Sequence, residues 1–275
     1  MKIQITGLEH TYPGGVPALR GVSLEIETGE CVAIVGQNGA GKTTLVKHLN
    51  SLLRPTAGVV QVGAWDTRQR SVAQMAAVVG YVFQNPDDQL FQRTTLAEVS
   101  FGPRNMGWPA DRAAASAQAG LERVGLADQG SLHPYDLSPS QRKRVALAAV
   151  LAMQTPIVVL DEPTTGQDAQ GTALIGDIIR GLRAEGRTVI AVTHDVDFCA
   201  EHFERVIAMG EGRVLADGLA QPVLAQTRLL AATNVDPPQL MRLAARLGWP
   251  AERWPLDVEA FATELAERAA SRGRG

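Results

Sequence analysis

Ahead of Cys31, apolar and polar residues alternate in short runs such as Lys2-Ile3-Gln4-Ile5 and Val22-Ser23-Leu24-Glu25-Ile26, separated by the turn signal Pro13-Gly14-Gly15. A period of two sends successive side chains to opposite faces, so this stretch predicts an antiparallel sheet with one buried face. The pattern then changes. Cys31-Val32-Ala33-Ile34-Val35, Ile157-Val158-Val159-Leu160 and Val189-Ile190-Ala191-Val192 are apolar throughout. Short unbroken runs of this kind are strands covered on both faces, as in a parallel sheet. Leu174, Ile178 and Leu182, with Ile175 and Ile179 beside them, recur at helical spacing between the second and third runs. Buried strands alternating with helices predict an α/β fold.

Two segments break that alternation. Residues 86–154 are mostly helical in pattern and read as an inserted helical subdomain. Beyond Gly218, Pro222, Pro237-Pro238, Pro250 and Pro255 divide short amphipathic stretches: Leu240, Leu243, Ala244 and Leu247 share one helix face, and Val258, Phe261 and Leu265 another behind an Asp257 cap. The expected organisation is a main unit over 1–220 and a helical extension over 221–275, with a short frayed tail from Ser271. The extension has apolar faces and no catalytic constellation, so its expected role is to hold two chains together.

The candidate chemistry lies at the ends of the apolar runs. Gly36-Gln37-Asn38-Gly39-Ala40-Gly41-Lys42-Thr43 follows the first run, and Leu45, Leu49 and Leu52 mark a helix from Thr43 to near Pro55. Glycines, then Lys, then a hydroxyl residue between a strand and a helix form a phosphate-binding P-loop. Backbone amides, with those near Thr44, ring the phosphates, the helix dipole assists, Lys42 reaches the β and γ phosphates, and Thr43 can ligate magnesium. Asp161 and Glu162 end the second run, where the first carboxylate can hold magnesium and the second can act as general base. His194 ends the third run within reach of a γ-phosphate or an attacking water.

Composition narrows the classes. The net charge of -3 and pI near 6.0, with Lys and Arg scattered, give little drive toward nucleic acid, which is not an expected partner. The longest apolar stretch, Val145 to Met153, is nine residues, about half of what a bilayer-spanning helix needs. The first residues lack the pattern of a signal peptide, so the expected location is cytoplasmic. Cys31 and Cys199 are far apart without metal-ligand spacing and read as reduced, buried thiols.

Taken in order, these motifs resemble those of ABC ATPases. Gln84 resembles the Q-loop glutamine, Leu137-Ser138-Pro139-Ser140-Gln141 the signature, Gly166-Gln167-Asp168 the D-loop, His194 the switch histidine, and Tyr12 the aromatic that stacks on adenine. The resemblance implies a P-loop NTPase (RecA-like) core with an antiparallel β subdomain, an inserted helical subdomain and a small C-terminal helical extension. It implies ATP and Mg2+ as ligands, with Thr43, Gln84 and Asp161 at the metal and Glu162, His194 and Gln84 catalytic. It also implies a second ATPase subunit whose P-loop faces the signature Ser138 to Gln141. Val82 to Phe91, Phe101-Gly102-Pro103 and Pro237-Pro238-Gln239 are similar to the energy-coupling factor branch, in which paired ATPases on the cytoplasmic face of the membrane drive a transmembrane coupling subunit and a substrate-binding membrane subunit that takes up a vitamin or metal ion. Asp87 and Asp88 are then candidates to receive that partner.

The chain departs from the resemblance at one place. The family signature has two glycines where Pro139 and Ser140 stand. Ser138 as N-cap, Pro139 at the first helical position and Gln141 three residues after the cap still predict a sound helix start. The amide of residue 139 is lost, and Ser140 brings a side chain toward the phosphate. The expectation is a heterodimer: the site using this chain's P-loop hydrolyses ATP, and the opposite site turns over slowly.

Overall fold

The computed structural model describes residues 1–233 and 235–272. Strands β1 (Ile3–Tyr12) and β2 (Val16–Ile26) form a hairpin, and β3 (Cys31–Val35) leads through the glycine loop into α1 (Lys42–Lys47). Next come β4 (Ala57–Val62), β5 (Trp65–Asp66), α2 (Val72–Ala76) and β6 (Val79–Val82). Helices α3 (Thr95–Asn105), α4 (Ala110–Arg123) and α5 (Pro139–Ala152) separate β6 from β7 (Ile157–Asp161). The chain continues through α6 (Ala169–Ala184), β8 (Thr188–Thr193), α7 (Val196–His202), β9 (Arg205–Gly210) and β10 (Arg213–Leu219). Last among the described residues are α8 (Ala220–Leu224), α9 (Thr227–Ala232), α10 (Gln239–Arg246) and α11 (Val258–Arg272).

One sheet is antiparallel, in the order β2-β1-β4-β5; the other runs β10-β9-β3-β8-β7-β6 and is parallel except for β10. The pleat explains how the layers assemble. Along β3, Cys31, Ala33 and Val35 enter the core shared with α3 to α10, while Val32 and Ile34 enter a second core closed by the antiparallel sheet and α1. Both faces are therefore buried, which is why β3 and the runs 157–160 of β7 and 189–192 of β8 are apolar throughout. The register pairs Val35 with Thr193 and Val192 with Asp161, so the loops after β3, β7 and β8 open along one edge. Ligands of open parallel sheets bind at that edge.

Two expectations change. The helix after the glycine loop stops at Lys47 rather than near Pro55: Ser51 is left-handed at φ 61°, its hydroxyl donates to Thr67 O at 2.8 Å, and the Asn50 side chain accepts from Leu52 N at 3.2 Å. Such local side-chain bonds compete with the helix ladder. In the tail, Ser271 and Arg272 close α11, while residues 273–275 lie outside the described residues.

The helices after β10 lean on the rest of the chain. Leu230, Val235 and Met241 enter the larger core, and Thr233 O accepts from the Gln37 amide of the glycine loop at 3.1 Å. The Asp257 side chain accepts from Ala260 N at 2.7 Å, capping α11 as its position predicts. Phe261 stacks on Trp249, yet Leu243, Leu247, Val258 and Leu265 remain exposed. No helix among the described residues is long and apolar enough to cross a membrane.

Candidate active site

The glycine loop is wedged between backbones. A Cβ on Gly36 would lie 2.2 Å from Met209 O, and one on Gly41, where φ is 97°, would lie 2.6 Å from Ala18 O. Only residues without a side chain let the loop lie this close to β9 and β2. Lys42 is buried and folds back under the loop, donating from Nζ to Gly36 O at 2.7 Å and Gln37 O at 3.0 Å. Burial lowers its pKa, against the pull of Glu162 and Asp161. The Thr43 hydroxyl donates to Asp161 Oδ1 at 3.0 Å. A cavity of about 470 Å³ extends from Tyr12 over Asn38 to Thr44, taking in Gly39, Ala40 and Gly41, to Gln84 and Glu162. Tyr12 forms its exposed end, with its hydroxyl 3.1 Å from Thr44 Oγ1 and its ring edge-on to His10.

The acidic pair is held by groups from four elements. Asp161 also accepts from the Tyr81 hydroxyl at 2.7 Å, and burial raises the pKa of both. Glu162 is 4% exposed, takes a left-handed backbone at φ 50°, and donates its amide to Val192 O at 2.7 Å. His194 Nδ1 lies 2.9 Å from Glu162 Oε2, while the rest of the imidazole is open. From α5, Lys143 Nζ donates to Glu162 O and to Thr165 O, and burial pushes its pKa down to about 8. Sequence reasoning missed Tyr81 and Lys143. Each had a signal: Tyr81 is the one residue of Val79-Gly80-Tyr81-Val82 that needs a buried hydrogen-bond partner, and Lys143 shares the inward face of α5 with Leu147 and Val150.

The segment resembling the signature does not line this cavity. Ser138 and Gln141 form the expected capping box: Gln141 N donates to Ser138 Oγ at 3.3 Å, and Ser138 N donates to Gln141 Oε1 at 2.9 Å. Pro139 is the first residue of α5, and Ser138 and Pro139 are exposed. The Ser140 side chain turns back within its own chain, its hydroxyl donating to Gln167 Oε1 at 2.9 Å while Gln167 Nε2 donates to Ser140 O at 3.2 Å. Asp168 caps α6 through Gly171 N at 2.7 Å. Asp87 is not free for a partner alone, since it faces Arg142 Nε of α5 at 3.3 Å.

The sequence profile of the ABC transporter family matches residues 19–165, more than half of the chain. The energy-coupling factor transporter ATP-binding protein EcfA of Methanothermobacter thermautotrophicus is 40% identical over 247 residues, covering 89% of this chain and 79% of that protein. The chain belongs to the ABC transporter family. A putative ABC transporter ATP-binding protein of Geobacter sulfurreducens is 42% identical over 240 residues, covering 87% of this chain and 95% of the relative. Among solved structures, CbiO1 of Clostridium perfringens, part of the ABC transporter complex CbiONQ, superposes with a TM-score of 0.74 at 33% identity over 90% of this chain and 98% of its own. The dimeric ATP-binding cassette MJ0796, bound to ADP and phosphate, gives 0.73 at 28% identity over 79% of this chain and 98% of its own. The two sheets and the helical insertion described above are those of an ABC ATPase cassette.

Proposed function

We propose that the chain is the ATP-binding and ATP-hydrolysing subunit of an energy-coupling-factor-type ABC transporter, powering uptake of a vitamin or metal ion through separate membrane subunits. The observation that carries this reading is the cavity that begins at Tyr12, crosses the glycine loop and ends at Glu162. The order of its lining residues suits adenine at Tyr12, phosphates over the loop and the reacting water at Glu162. Lys42 Nζ has three N–H groups, two given to Gly36 and Gln37, which leaves one for a phosphate oxygen. The amides of residues 39–44 supply the rest of the cradle.

The site also fits a magnesium ion. Thr43 and Asp161 bring hard oxygen donors together at 3.0 Å, and a carboxylate whose pKa burial has raised gains from a cation beside it. Thr43 and Asp161, with Gln84 from across the cavity, would hold it, and the ion would neutralise charge on the phosphate oxygens. The chain's own residues do the rest. Glu162 accepts the proton of the attacking water. His194, its Nδ1–H given to that carboxylate, orients Glu162 and presents its open edge to the γ-phosphate.

Signature and P-loop of one chain do not share a cavity, so Ser138 to Gln141 serve a second ATPase subunit. Ser140 turns away toward Gln167 and does not crowd that site, which leaves the missing Pro139 amide as the argument for a heterodimer with one slow site. The membrane partner docks beside Gln84, where Val72, Phe83, Phe91 and Phe101 line an apolar groove of about 190 Å³ and the short helical turn Pro86–Asp88 follows in the chain with Asp87 and Asp88. Phe91 is 60% exposed there, and its ring meets Phe101 edge-on at 4.8 Å. The subunit then sits peripherally on the cytoplasmic face. Affinity capture of the chain from detergent-solubilised membranes, with mass spectrometry, is expected to recover a second ABC ATPase and two integral membrane proteins. Recovery of ribosomes or DNA instead contradicts the transport assignment.

A further inference from the structure

The bond from the Ser140 hydroxyl to Gln167 has no counterpart in a signature with glycine at that position, because glycine has no side chain to give. Here the hydroxyl donates to the carboxamide oxygen at 2.9 Å, and the carboxamide nitrogen donates to the backbone carbonyl of Ser140 at 3.2 Å. The Gln167 side chain can lie there because residue 171 is glycine: a Cβ at Gly171 would sit 2.5 Å from Gln167 Oε1. Gln167 is fixed further by its amide, which donates to Thr164 O at 3.0 Å, and the adjacent Asp168 caps α6. One turn along α5, Lys143 holds Glu162 O and Thr165 O. The first turns of α5 are thus tied to both ends of the segment 162–167, which begins at the catalytic carboxylate and ends in the D-loop.

We propose that Ser140 and Gln167 form a latch that makes the signature helix and the D-loop move as one body with Glu162, so that the state of this chain's ATP site sets the position of the signature offered to the partner ATPase. The proposal rests on the reading that ATP sites are shared between paired subunits. Ser140 and Gln167 are positioning residues that act through α5 and the segment 162–167. Two side chains in contact whose bonds are made together are energetically non-additive, and a double-mutant cycle reads that coupling directly.

The test is such a cycle on ATP hydrolysis by the purified full transporter complex, using Ser140→Ala, Gln167→Ala and the double variant. Each single variant is expected to lower kcat about fivefold, the effect of one lost hydrogen-bonded contact, and to reduce the ATP cooperativity of the complex. The double variant is expected to be no worse than the weaker single, and Ser140→Thr, which keeps a hydroxyl, to restore kcat. KM is expected to change by less than about twofold, since no nucleotide contact of the P-loop is removed. Additive losses, or singles with wild-type kcat and cooperativity, overturn the latch. ATP-driven pairing of the same variants with the partner ATPase of the native complex, followed by size-exclusion chromatography, separates the two ideas: additive losses in variants that still pair sink the latch alone, whereas an unmodified chain that does not pair with that partner in Mg-ATP sinks the shared-site reading with it.

Discussion

Glu162 holds a left-handed backbone that costs a side-chain-bearing residue about 1 kcal/mol or more. Its amide donates to Val192 O, its carbonyl accepts from Lys143 Nζ, and its carboxylate meets His194 and, at 3.4 Å, the hydroxyls of Thr165 and Thr193. Lys143 is therefore a support for the general base, and its charge state can be read in stability. Its pKa in the folded chain, about 8, lies below the ordinary lysine value of 10.5, so the unfolded chain binds this proton more tightly. Between those values the contribution of Lys143 to stability rises with pH. Replacing Lys143 by Met is expected to lower stability by roughly 1–3 kcal/mol, because Glu162 O and Thr165 O lose their donor. The gap in melting temperature between wild type and Lys143→Met should widen from pH 8 to pH 10; a gap that is flat or narrows over that range contradicts the assignment. Lys42→Ala, at the other end of the cavity, is expected to weaken Mg-ATP binding itself by about tenfold or more, since it removes a charge-assisted phosphate contact. Unchanged affinity by fluorescent-nucleotide titration would remove Lys42 from the phosphate site.

At the scale of elements, α5 gathers the contacts that matter. Its cap faces outward at Ser138, its first turn meets Gln167, Arg142 faces Asp87, and Lys143 supports the loop after β7. Because Ser140 is turned away, Pro139 alone carries the proposed asymmetry between the two ATP sites. Pro139→Gly, which restores the amide and leaves Ser140 in place, is expected to raise turnover of the slow site in the native complex. An active homodimer indifferent to that change would contradict the heterodimer. The elements that sequence made legible are those in which one rule dominates. β3 and the runs 157–160 of β7 and 189–192 of β8 are apolar throughout because both faces are buried, and the capping box at Ser138 and Gln141 is a purely local pattern. What stayed hidden depends on partners far along the chain. The left-handed turn at Ser51 that ends α1 early is set by Thr67, and the orientation of Ser140 by Gln167. Lys143 and Tyr81 were hidden for the same reason, since each finds its buried partner across the sheet edge.

In the molecule as a whole, the helices after β10 face two ways. Leu230, Val235 and Met241 are core, and Thr233 O holds the Gln37 amide, so truncation near Gly218 would strip the core and disturb the glycine loop. Leu243 and Leu247, at 43% and 47%, are exposed, as are Val258 and Leu265, and the first pair is the one to test for contact with a second subunit. Leu243→Asp with Leu247→Asp is expected to leave the melting temperature within about 2 °C, as exposed substitutions do, while abolishing nucleotide-free dimers in analytical ultracentrifugation. Dimers that persist would confine this extension to packing on its own chain. The central claim, that Glu162 hydrolyses ATP in a cavity closed by a second subunit, is tested most directly by Glu162→Gln in the assembled complex. The amide keeps the shape of the side chain and loses the base. Turnover is expected to fall by roughly two or more orders of magnitude while Mg-ATP is retained and the ATPase pair stays closed in size-exclusion chromatography. Hydrolysis at the wild-type rate, or loss of ATP binding with no closed pair, would contradict the account.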